Sequence, residues 1–441
     1  MQLADLINNL LGILEKYPEY IFHLDAQTIV LEDYLEIYPE KREELSKWIK
    51  QGNILVGPWY LQNDFYLTSG EATVRNLIEG HRIAESFGAC ADAGYAPDQF
   101  GNISQLPQIL NDFGIDNFIF GRGFECYHKD ETGKIVTEQL PSEFIWQGAD
   151  GTQALAIHMK YWYNNAQRFS EDPKIAKKLI EVVERSFEGV AMTPYLLLMN
   201  GVDHLEAQEN LLPILEKLNQ DKINGTVRQI KMTDYVANVR NYIQEHQVPM
   251  MTHYGELRMG GDGQLLQGTL SSRSYLKRLN VLAQNRLDNC LEPLYSMLET
   301  AGCTGSYPKN YLHYLWKKLM QNHPHDSICG CSRDEIHAHM EDHYQAIREV
   351  TDELLRRGMI LAAQHNAAAV SYPEEYSLVA VNTLGVPQNG MIEAELIFPA
   401  EDKVDGFAIY DSEGKEVEFS LISREKGPMD VFSPINLPGI I

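Results

Sequence analysis

From about residue 20 to residue 260, short apolar runs alternate with amphipathic stretches, and this alternation restricts the possible folds more than any other feature of the chain. A short run rich in β-branched and aromatic residues, bounded by turn residues, fits a buried strand. Apolar residues spaced three and four apart fit a helix that lays one face on a sheet. Repeating the pair gives βαβ units around a parallel sheet. Strands are predicted at Tyr20–Leu24, Asn53–Gly57, Ala93–Ala96, Asn117–Gly121, Gln153–Met159, Tyr195–Met199 and Arg228–Met232. Helices are predicted at Glu40–Gln51, Gly70–Phe87, Pro173–Phe187 and Glu206–Asn219.

After Gly260-Gly261-Asp262-Gly263 the texture changes. Ser271–Leu298, Lys309–Asn322 and Ser332–His365 are long, charged and helix-periodic, with no strand-like run between them, which predicts a three-helix bundle. Beyond Tyr372-Pro373, the runs YSLVAVNTLG, MIEAELIFP and GFAIYD read as the opening of an all-β domain with too few strands to close a sandwich. The expected division is an α/β domain over 1–262, a three-helix bundle over 263–370 and an incomplete β-domain over 371–441.

The 37 Lys and Arg residues against 62 Asp and Glu give a net charge of −25, which repels a polyanion before local contacts form. Nucleic acid and anionic membrane surfaces are therefore not expected partners. Six cysteines, of which only Cys329 and Cys331 are closely spaced, indicate no disulfide framework and fit a reducing compartment. The first twenty residues lack a basic segment and a small-residue cleavage site, so a cytoplasmic location is expected. The sequence is compatible with a homo-oligomer and does not decide it.

Three polar clusters follow strand-like runs, where the carboxyl ends of parallel strands gather active-site residues. They are Gly94 to Asn102 with Asp98, Phe118 to Arg122, and Leu196 to His204 with Asp203. Asp98 and Asp203 come from different strands and suit the two carboxylates of a glycosidase; equally, each suits a helix cap or turn. A fourth cluster, Asn322-His-Pro-His325-Asp326-Ser-Ile-Cys-Gly-Cys331-Ser, combines imidazole and carboxylate, ordinary zinc ligands, with a competing thiolate pair. Trp59-Tyr60, Trp146 and Tyr161-Trp162-Tyr163 are candidates to stack on sugar rings, or plain packing residues.

Ala96-Pro-Asp98-Gln-Phe-Gly101, Gly201-Val-Asp203 and His325-Asp326 within HPHDSICGCS resemble the signature stretches of glycoside hydrolase family 38 α-mannosidases. The likeness extends over nearly the whole chain and is closer to the bacterial branch, which includes mannosylglycerate hydrolases. It implies a distorted βα-barrel catalytic domain and a retaining, zinc-assisted hydrolysis of terminal α-mannosides, either oligosaccharides or small mannosyl glycosides. Asp98 would be nucleophile and zinc ligand, Asp203 general acid and base, and His325 a second zinc ligand. Arg122 and Asp326 would contact the site or the sugar, with Tyr163 and Trp146 beside it. Family members also open with a strand ending in His-x-His-x-Asp-Trp, which supplies further zinc ligands. No such motif is present here, so the resemblance implies a chain cut at both ends, lacking its first strand and weakly active or inactive. A non-catalytic sugar-binding remnant and a metal-dependent carbohydrate deacetylase are the alternative readings.

Overall fold

The computed structural model describes residues 2–425 apart from 126, 130, 133, 134, 138, 161, 221, 222, 261–264, 304–306, 366–375, 397 and 399–403. Two parallel ladders organise the first part of the chain. After helix α1 (Gln2–Lys16), β1 (Phe22–His23) leads through α2 (Ile29–Ile37) and α3 (Arg42–Gln51) to β2 (Ile54–Leu55), its parallel partner. Helix α4 (Gly70–Phe87) then connects to β3 (Tyr95–Ala96), and α5 (Leu106–Asp112) to β4 (Asn117–Phe120). A hairpin of β5 (Tyr127–Lys129) and β6 (Ile135–Thr137) precedes β7 (Glu143–Gln147) and β8 (Gln153–His158). Helices α6 (Pro173–Phe187), α7 (Leu211–Gln220) and α8 (Met232–His246) follow, and β9 (Thr252–Tyr254) completes a sheet of order β3-β4-β8-β7-β9.

The sheet is parallel except where β7 and β8 pair antiparallel. Burial explains why: all four residues of β4 are buried, so the strand needs cover on both faces, as parallel strands do. Phe118, Ile119 and Phe120 pack with Trp146, Ile157 and the α8 side chain Val236 in one core. A second core gathers α1, α2, α3, α6 and α7 about β1 and β2. The α/β class therefore stands, with β1-β2 and the five-stranded sheet as separate ladders.

The helices start where local chemistry permits. Ser69 accepts the Ala72 amide at the head of α4, and Asp172 accepts the Lys174 amide before Pro173 opens α6. Two expected strands do not form. Residues 195–199 lie extended, but their backbone is satisfied by Asn165 and Ala166: Asn165 Nδ2 donates to Leu197 O, the Met199 amide to Asn165 Oδ1, and the Ala166 amide to Met199 O. Residues 228–231 are likewise outside any ladder, and Met232 begins α8; Gln229 uses its side-chain amide to pair both Ile21 N and Ile21 O. Conversely, β7 and β9 are strands that the apolar pattern did not predict.

The later helices are α9 (Ser274–Asn285), a π-helical segment Arg286–Leu291, α10 (Glu292–Thr300), α11 (Lys309–Met320), the short α12 (His325–Ile328) and α13 (Asp334–His365). They share a core that includes Leu276, Leu315, Trp316 and Ile347. Chain contacts divide the molecule into Met1–Gly385 and Val386–Ile441. The expected boundaries at 262/263 and 370/371 fall outside the described residues. Within the second unit the described strands are β10 (Ile409–Tyr410) and β11 (Glu416–Val417), an antiparallel pair.

Two features of α4 hold the α/β part and α11 in place. Gly80 lies against the chain at 58–60, where an added Cβ would sit 2.0 Å from Pro58 O and 2.6 Å from Tyr60 N. Gly80→Ala is therefore expected to destabilise the protein by about 3 kcal/mol in denaturant unfolding, because backbone on the other side leaves no room to relax. Glu79, nearly buried, binds Arg82, His313 and Lys317. Burial alone would raise its pKa, but hydrogen bonds from Arg82 and His313 and their charges hold it down at about 2. A depressed carboxylate stabilises above its unfolded pKa, near 4.5, and loses that contribution as pH falls through about 2. Glu79→Gln is expected to cost about 1–2 kcal/mol at pH 7. The difference in melting temperature between variant and parent should close between pH 4.5 and 2.

Candidate active site

The pairing of β3 with β4 sets the site's geometry. Ala96 lies opposite Phe120, so Asp98 and Arg122, each two residues further on, leave the sheet side by side. Arg122 donates from Nε to Asp98 Oδ1 at 2.6 Å and approaches the same oxygen through NH2 at 2.5 Å. Gly121 makes the approach possible, since a Cβ there would lie 2.3 Å from Pro97 O. The guanidinium is covered by the Trp162 ring, 4.4 Å from its centroid.

The other face of Asp98 meets the helical region. An antiparallel bridge between Asn63 and Pro324, and a hydrogen bond from the Asp64 amide to His323 O, hold the segment before α12 against the chain that follows β2. This places His325 Nε2 3.6 Å from Asp98 Oδ2, while His325 Nδ1 faces Gln62 O at 3.1 Å. Burial alone would disfavour charge on both partners. At Asp98 the interaction with His325 and the charge of Arg122 overcome it and hold the carboxyl below its ordinary range. At His325 the carboxylates Asp98 and Asp326 lift the imidazole to about 9. Asp98 is thus an ionised carboxylate gripped from two sides.

Asp203 is bound by Tyr163. Tyr163 donates its hydroxyl to Asp203 Oδ2 at 3.1 Å. Burial raises the Tyr163 hydroxyl pKa, and the charges of Asp98 and Asp203 raise it further. Asp203 is exposed, and His204 beside it adopts a left-handed φ of 63°. Asp326 is also open to solvent; its carbonyl accepts the Cys331 and Ser332 amides, and its carboxylate accepts the Cys331 thiol.

Trp146 is a correction. Its ring is fully buried against Phe118, and its indole N–H donates to Gly255 O, so it packs the core and has no face for a sugar. Trp59 is buried in the same way and braces Tyr95 O through its indole. Tyr161 lies outside the described residues. Cys329 and Cys331 donate to Asp64 and Asp326, and burial pushes both thiols up, Cys331 to about 12; they are bracing thiols and not a thiolate pair.

Sequence reasoning passed over Asp25 and Gln62. Asp25 follows β1 as Asp98 follows β3, so the same rule of charge beyond an apolar strand would have found it. It is open to water yet set among dense protein. Loss of surrounding solvent raises its pKa to about 7, with Gln27 and His325 opposing and Asp203 and Asp98 reinforcing the shift. Gln62 has no chemical signature; only the fold reveals it.

For zinc, Asp98 and His325 supply two donors. Among the described residues no group of three or more His, Cys, Asp or Glu side chains is arranged to hold an ion. Catalytic zinc ordinarily takes three protein ligands, so the residues described do not fit a complete zinc centre. Among the described residues no helix is long and apolar enough to cross a membrane.

Residues 1–256 match the glycosyl hydrolases family 38 N-terminal domain, and residues 264–361 the alpha mannosidase middle domain. A Halalkalibacterium halodurans protein, provisionally named a mannosylglycerate hydrolase, is 36% identical over 87% of this chain and 42% of its own length. Human alpha-mannosidase 2C1 is 25% identical over 85% of the chain and 33% of its own. The crystal structure of an alpha-mannosidase from Enterococcus faecalis superposes with a TM-score of 0.74 at 33% identity, covering 82% of this chain and 40% of that one. The chain thus spans less than half the length of these relatives. With the family's N-terminal and middle domains both matched and a solved relative of the same fold, this chain belongs to glycosyl hydrolase family 38.

Proposed function

We propose that the chain carries the catalytic carboxylates of a retaining glycosidase that hydrolyses terminal α-mannosidic bonds. The observation that carries the reading is the unequal treatment of two neighbouring aspartates: Asp98 is held ionised by Arg122 and His325, while Asp203 meets a neutral phenol. An ionised carboxylate is a nucleophile, and a carboxyl with a hydroxyl partner can carry and return a proton. In the first step Asp98 forms a bond to the anomeric carbon as the glycosidic C–O bond breaks, and Asp203 delivers its proton to the departing oxygen. In the second, Asp203 takes a proton from water, whose oxygen displaces Asp98 and restores the starting configuration.

Tyr163 fixes one oxygen of Asp203 and leaves the other to face the leaving group. Arg122, braced by Trp162, keeps Asp98 ionised and aimed, and exposed Asp326 is placed to meet sugar hydroxyls. No step is routed through zinc, because any ion at Asp98 and His325 needs donors beyond those described. The family names support a mannosyl glycoside as substrate; the glycerate of one relative's name stays with that relative.

Hydrolysis of an aryl α-mannoside tests the reading, since a good leaving group needs least proton assistance. Asp98→Ala is expected to lower kcat at least about 1,000-fold with correct folding by circular dichroism, and the first sugar released should be the α-anomer by NMR. Asp203→Ala should lose about 100- to 10,000-fold on a poor leaving group and much less on a good one. Azide should restore its turnover, because an anion attacks the glycosyl-enzyme without a base. Gly121→Ala, which drives a Cβ into Pro97 O, should reduce kcat about 10-fold or more through the Asp98–Arg122 pair. If the unaltered chain neither turns over nor binds a mannoside, the reading is wrong.

A further inference from the structure

Immediately after β1 the chain bends through two consecutive non-glycine residues at left-handed φ, Asp25 at 46° and Ala26 at 56°. Side chains rarely adopt this conformation, and it persists only where surrounding contacts enforce it. Here they do. Gln62 Nε2 donates to Asp25 O at 2.9 Å, the Trp59 amide donates to Ala26 O at 3.1 Å, and Ala26 is fully buried. The bend leaves Asp25 exposed, at the end of β1 and on the Gln62 frame that also reaches His325.

The ordinary explanations for an aspartate in a turn do not apply. The residue at the cap position of α2 is Thr28, and no side chain caps that helix. Among the described residues, the hydrogen-bond partner of the Asp25 carboxylate is Gln27 Nε2, at 3.0 Å to Oδ2, and no cation lies within ion-pair distance. A carboxylate placed next to two others without a cation of its own gains nothing for folding.

The group that holds this bend also holds the rest of the site. Buried Gln62 donates from Nε2 to Asp25 O and Tyr95 O and accepts Gln99 at Oε1, next to Asp98 in sequence. Its amide donates to Gln27 Oε1, and its carbonyl faces His325 N and Nδ1. Asp25 is therefore fixed in the same frame as Asp98 and His325.

We propose that Asp25 is a substrate-binding residue that grips a hydroxyl of the mannosyl ring held between Asp98 and Asp203. A carboxylate oxygen not engaged by Gln27 accepts a sugar hydroxyl without needing a cation, and the enforced bend delivers it in fixed geometry. The inference rests on the glycosidase reading above.

Three substitutions separate binding from scaffolding. Glycine adopts φ 46° without strain, so Asp25→Gly is expected to keep or raise the melting temperature while lowering kcat/KM on an aryl α-mannoside about 10- to 100-fold. Asp25→Asn should fall between Asp25→Gly and the parent, because its amide oxygen still accepts. Asp25→Ala should be compared with the parent on aryl mannosides lacking the 3-, 4- or 6-hydroxyl. For one of these, the losses from the substitution and from the missing hydroxyl should fail to add. Losses that add for every analogue, or variants that lose stability in step with activity, would overturn the role of Asp25. An unaltered chain that neither hydrolyses the aryl mannoside nor binds methyl α-mannoside in calorimetry would instead sink the glycosidase reading. Turnover that survives in all three variants would sink Asp25 alone.

Discussion

Everything at the site depends on one carboxylate, that of Asp98, being held between a cation from the sheet and one from the helical region. Arg122 arrives from the neighbouring strand in equal register, and His325 arrives from the chain before α12. Each partner alone would face a desolvation cost on leaving water, and the three together offset it. The consequence extends beyond chemistry. Because His325 belongs to the helical layer, the arrangement that ionises Asp98 also fixes how that layer meets the strand ends, as do the Asn63–Pro324 bridge and the Asp64–Cys329 hydrogen bond.

The same dependence explains what could be read from the residues and what could not. Asp98, Arg122 and His325 stood out because strand-end charge and a His-Asp pair are local patterns, and the runs before Asp98 and Arg122 do form paired strands. Residues 195–199 have an equally apolar run, but Asn165 and Ala166 take up their backbone bonds, an outcome set by residues thirty positions away. Trp146 shows the converse limit. Next to a strand, an aromatic ring can face the core or the pocket, and only the packing against Phe118 decides. Gln62 lies at the far end of this scale, since its importance comes wholly from partners distant in sequence.

Backbone strain adds information that composition lacks. Of the described non-glycine residues at left-handed φ, Asp25, Ala26, Trp162 and His204 all belong to or adjoin the site. Each stands at or just after a bend that takes the chain from an extended run to the strand-end surface. Such conformations cost free energy and survive where dense contacts enforce them, which here means the Gln62 frame and the Arg122–Trp162 stack. Rigidity at the mouth of the sheet is therefore a product of the packed sheet beneath it.

A retaining mechanism needs two carboxyl groups with opposite duties, and the fold separates them by where it places positive charge. Arg122 and His325 both bear on Asp98, and among the described residues Asp203 has the Tyr163 hydroxyl as its hydrogen-bond partner. The proposed nucleophile is thus paired with cations, and the proposed acid with a neutral hydroxyl that orients it. On the proposed mechanism, then, the difference between nucleophile and acid follows from strand register and a helical neighbour on one side, and a single phenol on the other.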